Sequence, residues 1–156
     1  MSAAIQDSYA EELSHCYGCG ANNPDGMQLK TRWDGDETVT EYLPRPEHTA
    51  IPGYVHGGIL ASLVDCHGTG SAAAAAHRAN GHEIGDGTPP RFVTASLQVD
   101  FRKPTPQGSP LVARGRIAEQ TDRKVVTDVS VTVDGVEVAT GRVVAVRMPD
   151  GMRPKG

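Results

Sequence analysis

Tyr54-Val55-His56-Gly57-Gly58-Ile59-Leu60-Ala61-Ser62-Leu63-Val64-Asp65-Cys66-His67-Gly68 is the stretch on which the reading of this chain turns. A histidine and two glycines open an apolar run that encloses a single carboxylate. The run continues through Ser71–Ala76, nearly pure alanine, and predicts one long helix over Gly57–His77. Asn80-Gly81 punctuates its end. A surface helix carries a polar stripe. This one is apolar or small on every side, so it must be wrapped, by its own sheet and by a second protomer. Helical neighbours of Asp65 at three, four and seven residues are Gly58, Ala61, Ser62, Gly68, Thr69 and Ala72, all small. Ile59, Leu60, Leu63 and Val64 fall on the opposite face. Burying a charge is costly unless something compensates. Asp65 is therefore either a chemical group or a carboxylate satisfied by a cap or by an arginine such as Arg91 or Arg102.

Outward from the helix the pattern changes to period two. Phe92–Arg102 alternates, with Val93, Ala95, Leu97, Val99 and Phe101 on one side and Thr94, Ser96, Gln98, Asp100 and Arg102 on the other. Leu111–Ile117, Val125–Val133 and Val136–Val146 read as further strands, the last two joined by the two-residue hairpin signal Asp134-Gly135. Upstream, Met27–Trp33 and Thr38–Leu43 flank Asp34-Gly35 as a looser hairpin. One helix and five or six mostly antiparallel strands define an α+β layer, a sheet covering a single helix. The expected organisation is a flexible lead-in over 1–15, one domain over 16–148 and a tail over 149–156.

A chain of 156 residues, 38% hydrophobic and 22% charged, fits one globular domain with a real core. A net charge of −4 argues against nucleic-acid binding by bulk charge. No apolar stretch is long enough to span a bilayer, and the N-terminus lacks an apolar signal core, so a cytoplasmic protein without membrane partners is expected.

Gly57 and Gly58 open the helix, where free backbone N–H groups and the helix dipole favour developing negative charge. Such amides can form an oxyanion hole without side chains; a plain helix start with glycines for close packing is the alternative. Gly57 and Asp65 are eight residues apart, roughly 12 Å along a helix. They cannot both touch one reacting carbonyl, because catalytic contacts need about 3 Å. If both serve one reaction, two chains contribute, which predicts a site at a dimer interface. Thr94 leads the polar face of its strand, where its hydroxyl could position a water beside Asp65 or simply be a β-favouring residue.

Three cysteines do not make a disulfide framework. Cys16-x-x-Cys19 has zinc-like spacing, but a structural zinc takes four ligands and there is no second pair. A tight turn with small buried thiols is expected instead, with no metal and no cofactor. His67 and His77 read as structural.

Val55-His56-Gly57-Gly58, then Asp65, then Val93-Thr94-Ala95-Ser96-Leu97 and Phe101-Arg102-Lys103-Pro104-Thr105-Pro106 resemble the hotdog-fold acyl-CoA thioesterases, in particular the PaaI-like branch. The lead-in Cys16-Tyr17-Gly18-Cys19-Gly20, with Asn23-Pro24 and Gly26, resembles many members as well. The resemblance covers roughly residues 16–146. It implies an antiparallel sheet wrapped around a central helix, a homodimer or homotetramer, and hydrolysis of an acyl-CoA or aryl-CoA thioester to acid and CoA. Asp65 would be the general base or nucleophile. The Gly58 N–H, with Gly57 beside it, would hold the oxyanion. His56 would bond near the thioester carbonyl or hold the loop, and Thr94 would orient water, with Ser96 as its fallback. Arg102, Lys103, Arg123 and Lys124 are the candidate cations for the CoA phosphates. One departure stands out: some relatives carry Asn or Gln a few residues before the histidine, where this chain has Ala50, which cannot polarise anything. A non-catalytic acyl-CoA binder and a hydratase or dehydratase remain alternative activities of the same fold.

Overall fold

A computed structural model describes residues 2–155. Six strands form one antiparallel sheet: β1 (Arg32–Asp34), β2 (Glu37–Tyr42), β3 (Phe92–Phe101), β4 (Leu111–Gln120), β5 (Lys124–Val133) and β6 (Val136–Arg147). Their order is β1-β2-β4-β5-β6-β3. The helix α1 (Gly57–Ala79) lies across the sheet. The Asp134-Gly135 turn is as expected: both residues have positive φ, 49° and 79°, which a two-residue hairpin matched to sheet twist requires. The β1–β2 turn falls one residue later than expected, at Gly35-Asp36, because Asp34 already pairs with Glu37.

The helix meets the sheet at positions without side chains. A Cβ on Gly68 would collide with the Val143 side chain of β6, and a Cβ on Gly141 would stand 2.6 Å from Val64 Cγ1. Each glycine admits the residue opposite, so helix and sheet approach closely. Leu60, Leu63 and Val64 complete one core with Leu111, Val131 and Val143. A second core surrounds the alanine half of the helix: Ala72, Ala73, Ala74 and Ala76 pack with Phe92, Val125 and Ala145.

Two residues of that second core come from the N-terminal segment, Ile5 and Tyr9. The lead-in expected to be flexible is docked. It forms two 3-10 turns, Ile5–Ser8 and Glu11–Leu13, and Ile5 and Gln6 are fully buried. Composition concealed this, because one isoleucine and one tyrosine among polar residues do the anchoring.

Gln6 also begins a buried polar chain. Its Nε2 donates to Thr31 Oγ1 (2.9 Å) and its Oε1 accepts from the Thr31 amide (2.7 Å). Thr31 Oγ1 meets Thr40 Oγ1 (3.0 Å), which meets His67 Nδ1 (2.7 Å); His67 Nε2 meets Thr38 Oγ1 (3.0 Å), which meets Ser71 Oγ (2.7 Å). His67 is thus structural, as expected. Burial pushes its imidazole from the ordinary 6.5 down to about 3. Between those values the unfolded chain binds a proton that the folded chain refuses, so stability is lost as pH falls through this window. Unfolding free energy from urea titrations should drop by about 1.4 kcal/mol per pH unit from this group between pH 6 and pH 4. A His67→Gln variant should show a slope shallower by that amount; an unchanged slope would remove His67 from the acid response.

Candidate active site

The loop before α1 is held from both sides. The Val55 amide donates to Thr105 O (2.9 Å) and the His56 amide to His48 O (2.9 Å). His48 itself is buried and lies 3.3 Å from the Tyr42 hydroxyl through Nδ1. Burial, then the nearby Arg45 charge, lowers its pKa below the ordinary histidine value. Its anchoring role was not legible in the sequence, since nothing in the spacing links His48 to the helix start.

His56 is the N-cap of α1, in extended conformation, and its side chain makes no capping bond. The amides of Gly57 and Gly58 have no hydrogen-bond partner among the described residues. Two different neighbours require the two glycines. A Cβ on Gly58 would stand 2.8 Å from His56 Nε2, because the imidazole folds back over it. A Cβ on Gly57 would press at 3.3 Å on the Phe101 ring. The helix N-terminus is therefore bare, with its donors uncovered and His56 exposed beside them.

Two turns further on, Asp65 is half-buried and accepts a hydrogen bond from the Thr94 hydroxyl. Neither Arg91 nor Arg102 pairs with it. Arg91 lies over the Tyr9 ring, and Arg102 donates to Thr140 Oγ1 at 3.1 Å. From the residues alone Thr94 reads as well as an ordinary strand threonine, and only the family resemblance gives it a role beside Asp65; the structure shows how it reaches the helix side. β3 has a bulge: Thr94 pairs with Ala145 but Ser96 already pairs with Val144. Opposed residues of an antiparallel pair share a face, and a bulge switches the alternation. Thr94 therefore sits on the helix side with Leu97, Val99 and Phe101, whereas Ser96 faces the other way. The uninterrupted alternation expected over Phe92–Arg102 is corrected here, and Ser96 cannot stand in for Thr94. No glycine or proline marks the bulge, so it could not be read from the residues.

Beyond Thr94 the helix side of β3 is covered only at Val99, which packs against the core. Leu97 is 40% exposed and Phe101 57% exposed, and β3 is an edge strand with ten residues whose outer hydrogen-bonding edge is free. Ala61, Ser62 and Asp65 line the adjacent open strip of α1. The remaining small neighbours of Asp65, namely Gly68, Thr69 and Ala72, are buried, so the narrow stripe is open only in its first half.

The four candidate cations do not form one patch. Arg102 and Lys103 line a cleft of about 360 Å³ with Gly57, Leu60 and Phe101, at the start of α1. Arg123 and Lys124 belong to the β4–β5 turn, whose neighbours Thr121 and Asp122 flank Ala76 and Ala79 at the other end of α1. That is roughly 30 Å away along the helix. Lys124 is moreover paired with Glu119 at 3.2 Å.

The model sequence of the Thioesterase superfamily matches residues 52–140. A thioesterase superfamily protein of Shewanella loihica PV-4 is 44% identical over 92% of this chain and 99% of its own, with a TM-score of 0.70. A Streptococcus mutans UA159 protein solved bound to acetyl CoA is 18% identical over 77% of this chain and 88% of its own, at a TM-score of 0.61. The Escherichia coli PaaI protein is 21% identical over 79% and 81%, at 0.59. None of the curated proteins matches. The chain belongs to the thioesterase superfamily, and its six-stranded sheet and single long helix are the hotdog fold. Among the described residues no helix is long and apolar enough to cross a membrane.

Proposed function

We propose that this protein hydrolyses an acyl-CoA or aryl-CoA thioester, and that each active site is built by two chains. The observation that carries the reading is the carboxylate of Asp65, held by the Thr94 hydroxyl on an otherwise apolar helix and open to one side. A carboxylate in that setting can take a proton from water or attack the thioester carbon itself. Thr94 fixes its orientation and can share the attacking water. The free amides of Gly57 and Gly58 stabilise the oxyanion, and the exposed His56 ring lies beside them. Arg102 and Lys103, at the mouth of the adjacent cleft, suit the CoA phosphates. Superfamily membership and the CoA-bound neighbours support a CoA thioester as substrate.

The two halves of this machinery lie eight helical residues apart in one chain. The free β3 edge and the uncovered Leu97 and Phe101 supply the remedy. A second copy pairing there would cover the apolar face and bring its own helix start towards Asp65. A homodimer, alone or doubled into a tetramer, is thus the working form.

The deciding measurement is thiol release. Purified protein mixed with a panel of short, medium and aromatic acyl-CoAs and a thiol-reactive chromophore should liberate CoA catalytically from at least one class. Binding of the same esters without thiol release would make this a binding protein, and hydration of an enoyl-CoA without release would make it a hydratase; either result overturns the proposal.

A further inference from the structure

Cys16 and Cys19, expected as buried thiols of a tight turn, meet a third cysteine. Cys16 and Cys19 lie in the loop after the N-terminal turns, and Cys66 projects from α1 fifty residues later. All three sulfurs lie within 4.8 Å of one another, and Cys16 Sγ is 3.8 Å from Cys66 Sγ. No disulfide joins them. A tetrahedral centre with metal–sulfur bonds of about 2.3 Å has sulfur–sulfur edges of about 3.8 Å. The Cys16–Cys66 separation, which a thiol hydrogen bond also spans, matches such an edge and is far longer than a disulfide bond of about 2.05 Å.

The backbone is shaped to this arrangement. The Gly20 amide donates to Cys16 O at 2.8 Å, so the loop turns tightly around its first thiol. A Cβ on Gly18 would overlap the Cys66 sulfur, and one on Gly20 would overlap the Cys16 backbone. These two glycines are needed by contact rather than by φ. The Tyr17 and Gly18 carbonyls then accept from Met27 (2.8 Å) and Leu29 (3.0 Å), clamping the loop onto the strand-like segment behind it. Cys19 and Cys66 are buried while Cys16 is half-buried, which leaves one open direction.

We propose that Cys16, Cys19 and Cys66 bind one soft divalent ion of the zinc type as thiolates, with a solvent-derived fourth ligand on the Cys16 side. Each thiol gives up its proton to solvent as its sulfur–metal bond forms, and no oxidant or reductant is involved. The spacing argument against zinc counted ligands along the sequence; the fold supplies the third from the helix. Such an ion would tie the loop to α1 at the residue next to Asp65. The proposal does not depend on the catalytic reading.

The test is metal content of the intact protein. Protein expressed with added zinc and desalted without chelator should carry about one zinc per chain. Cobalt-loaded protein should show thiolate-to-metal charge transfer and the intense visible bands of a tetrahedral site. Cys66→Ala should reduce bound metal at least tenfold, and so should Cys16→Ser, which alters the half-buried position and spares the core if the first variant folds poorly. Three overturning results are available. One is wild-type protein that stays metal-free after zinc incubation, with its thiols open to a thiol reagent. The second is full metal content in both variants. The third is a disulfide among the three cysteines in protein handled without reductant.

Discussion

Asp65→Asn should lower turnover of a cleaved acyl-CoA by about a thousandfold, within the range by which a positioned acid–base group accelerates reactions. Asparagine has nearly the same shape and still accepts a hydrogen bond from Thr94 through its carbonyl oxygen. It is neither a base nor a nucleophile. Fold, dimer and binding of a non-cleavable CoA ester should therefore survive, and the loss should fall on kcat rather than on KM. The neighbouring Thr94 supplies an internal comparison. Thr94→Ser keeps the hydroxyl that bonds Asp65 and should retain activity, whereas Thr94→Ala should lose about ten- to a hundredfold through a disoriented carboxylate. Steady-state kinetics on the ester that releases thiol, with mass measured in solution, checks all three variants. Unchanged kcat in Asp65→Asn would take the carboxylate out of the mechanism.

Gly68→Ala is expected to destabilise the fold by about 2–3 kcal/mol, the cost of overpacking a close contact. Helix propensity alone gives the opposite sign: alanine is better than glycine in a helix by about 1 kcal/mol. The site decides, because the added methyl would enter the Val143 side chain, which is itself fully buried. The helix would have to lift from β6, disturbing the seam that also holds Val64 against Gly141. Thermal or urea unfolding measures the change. A stabilised variant would mean that α1 and β6 are further apart than described here.

Most of the architecture was legible in the sequence because its signals are local. The strand character of β3 to β6, the Asp134-Gly135 turn and the apolar helix each rest on neighbours within a dozen residues. The site was legible in part. The structure sets Thr94 against Asp65 and leaves the Gly57-Gly58 start bare, at residues the sequence singles out; their roles in a reaction are proposed. What escaped depends on contacts between distant segments. The bulge that turns Ser96 away is set by pairing with β6. The docking of Ile5 and Tyr9 depends on the cavity beside the alanines. The remoteness of Arg123 from Arg102 follows from which end of the sheet each turn occupies. The meeting of Cys66 with Cys16 and Cys19 belongs to the same class, because fifty residues of chain separate the helix from the loop.

The docked N-terminus has a consequence for how the molecule can be divided. The superfamily signature spans 52–140, and that segment holds only part of the sheet and of the core. It lacks β1 and β2, and it ends inside β6, before the residues that pair with the Thr94 half of β3. It also lacks Ile5 and Tyr9, which seal the alanine flank of the helix. The packed structure thus extends beyond the recognisable segment, and a fragment cut to 52–140 would expose the alanine flank that Ile5 and Tyr9 cover, whereas burial begins at Ala4.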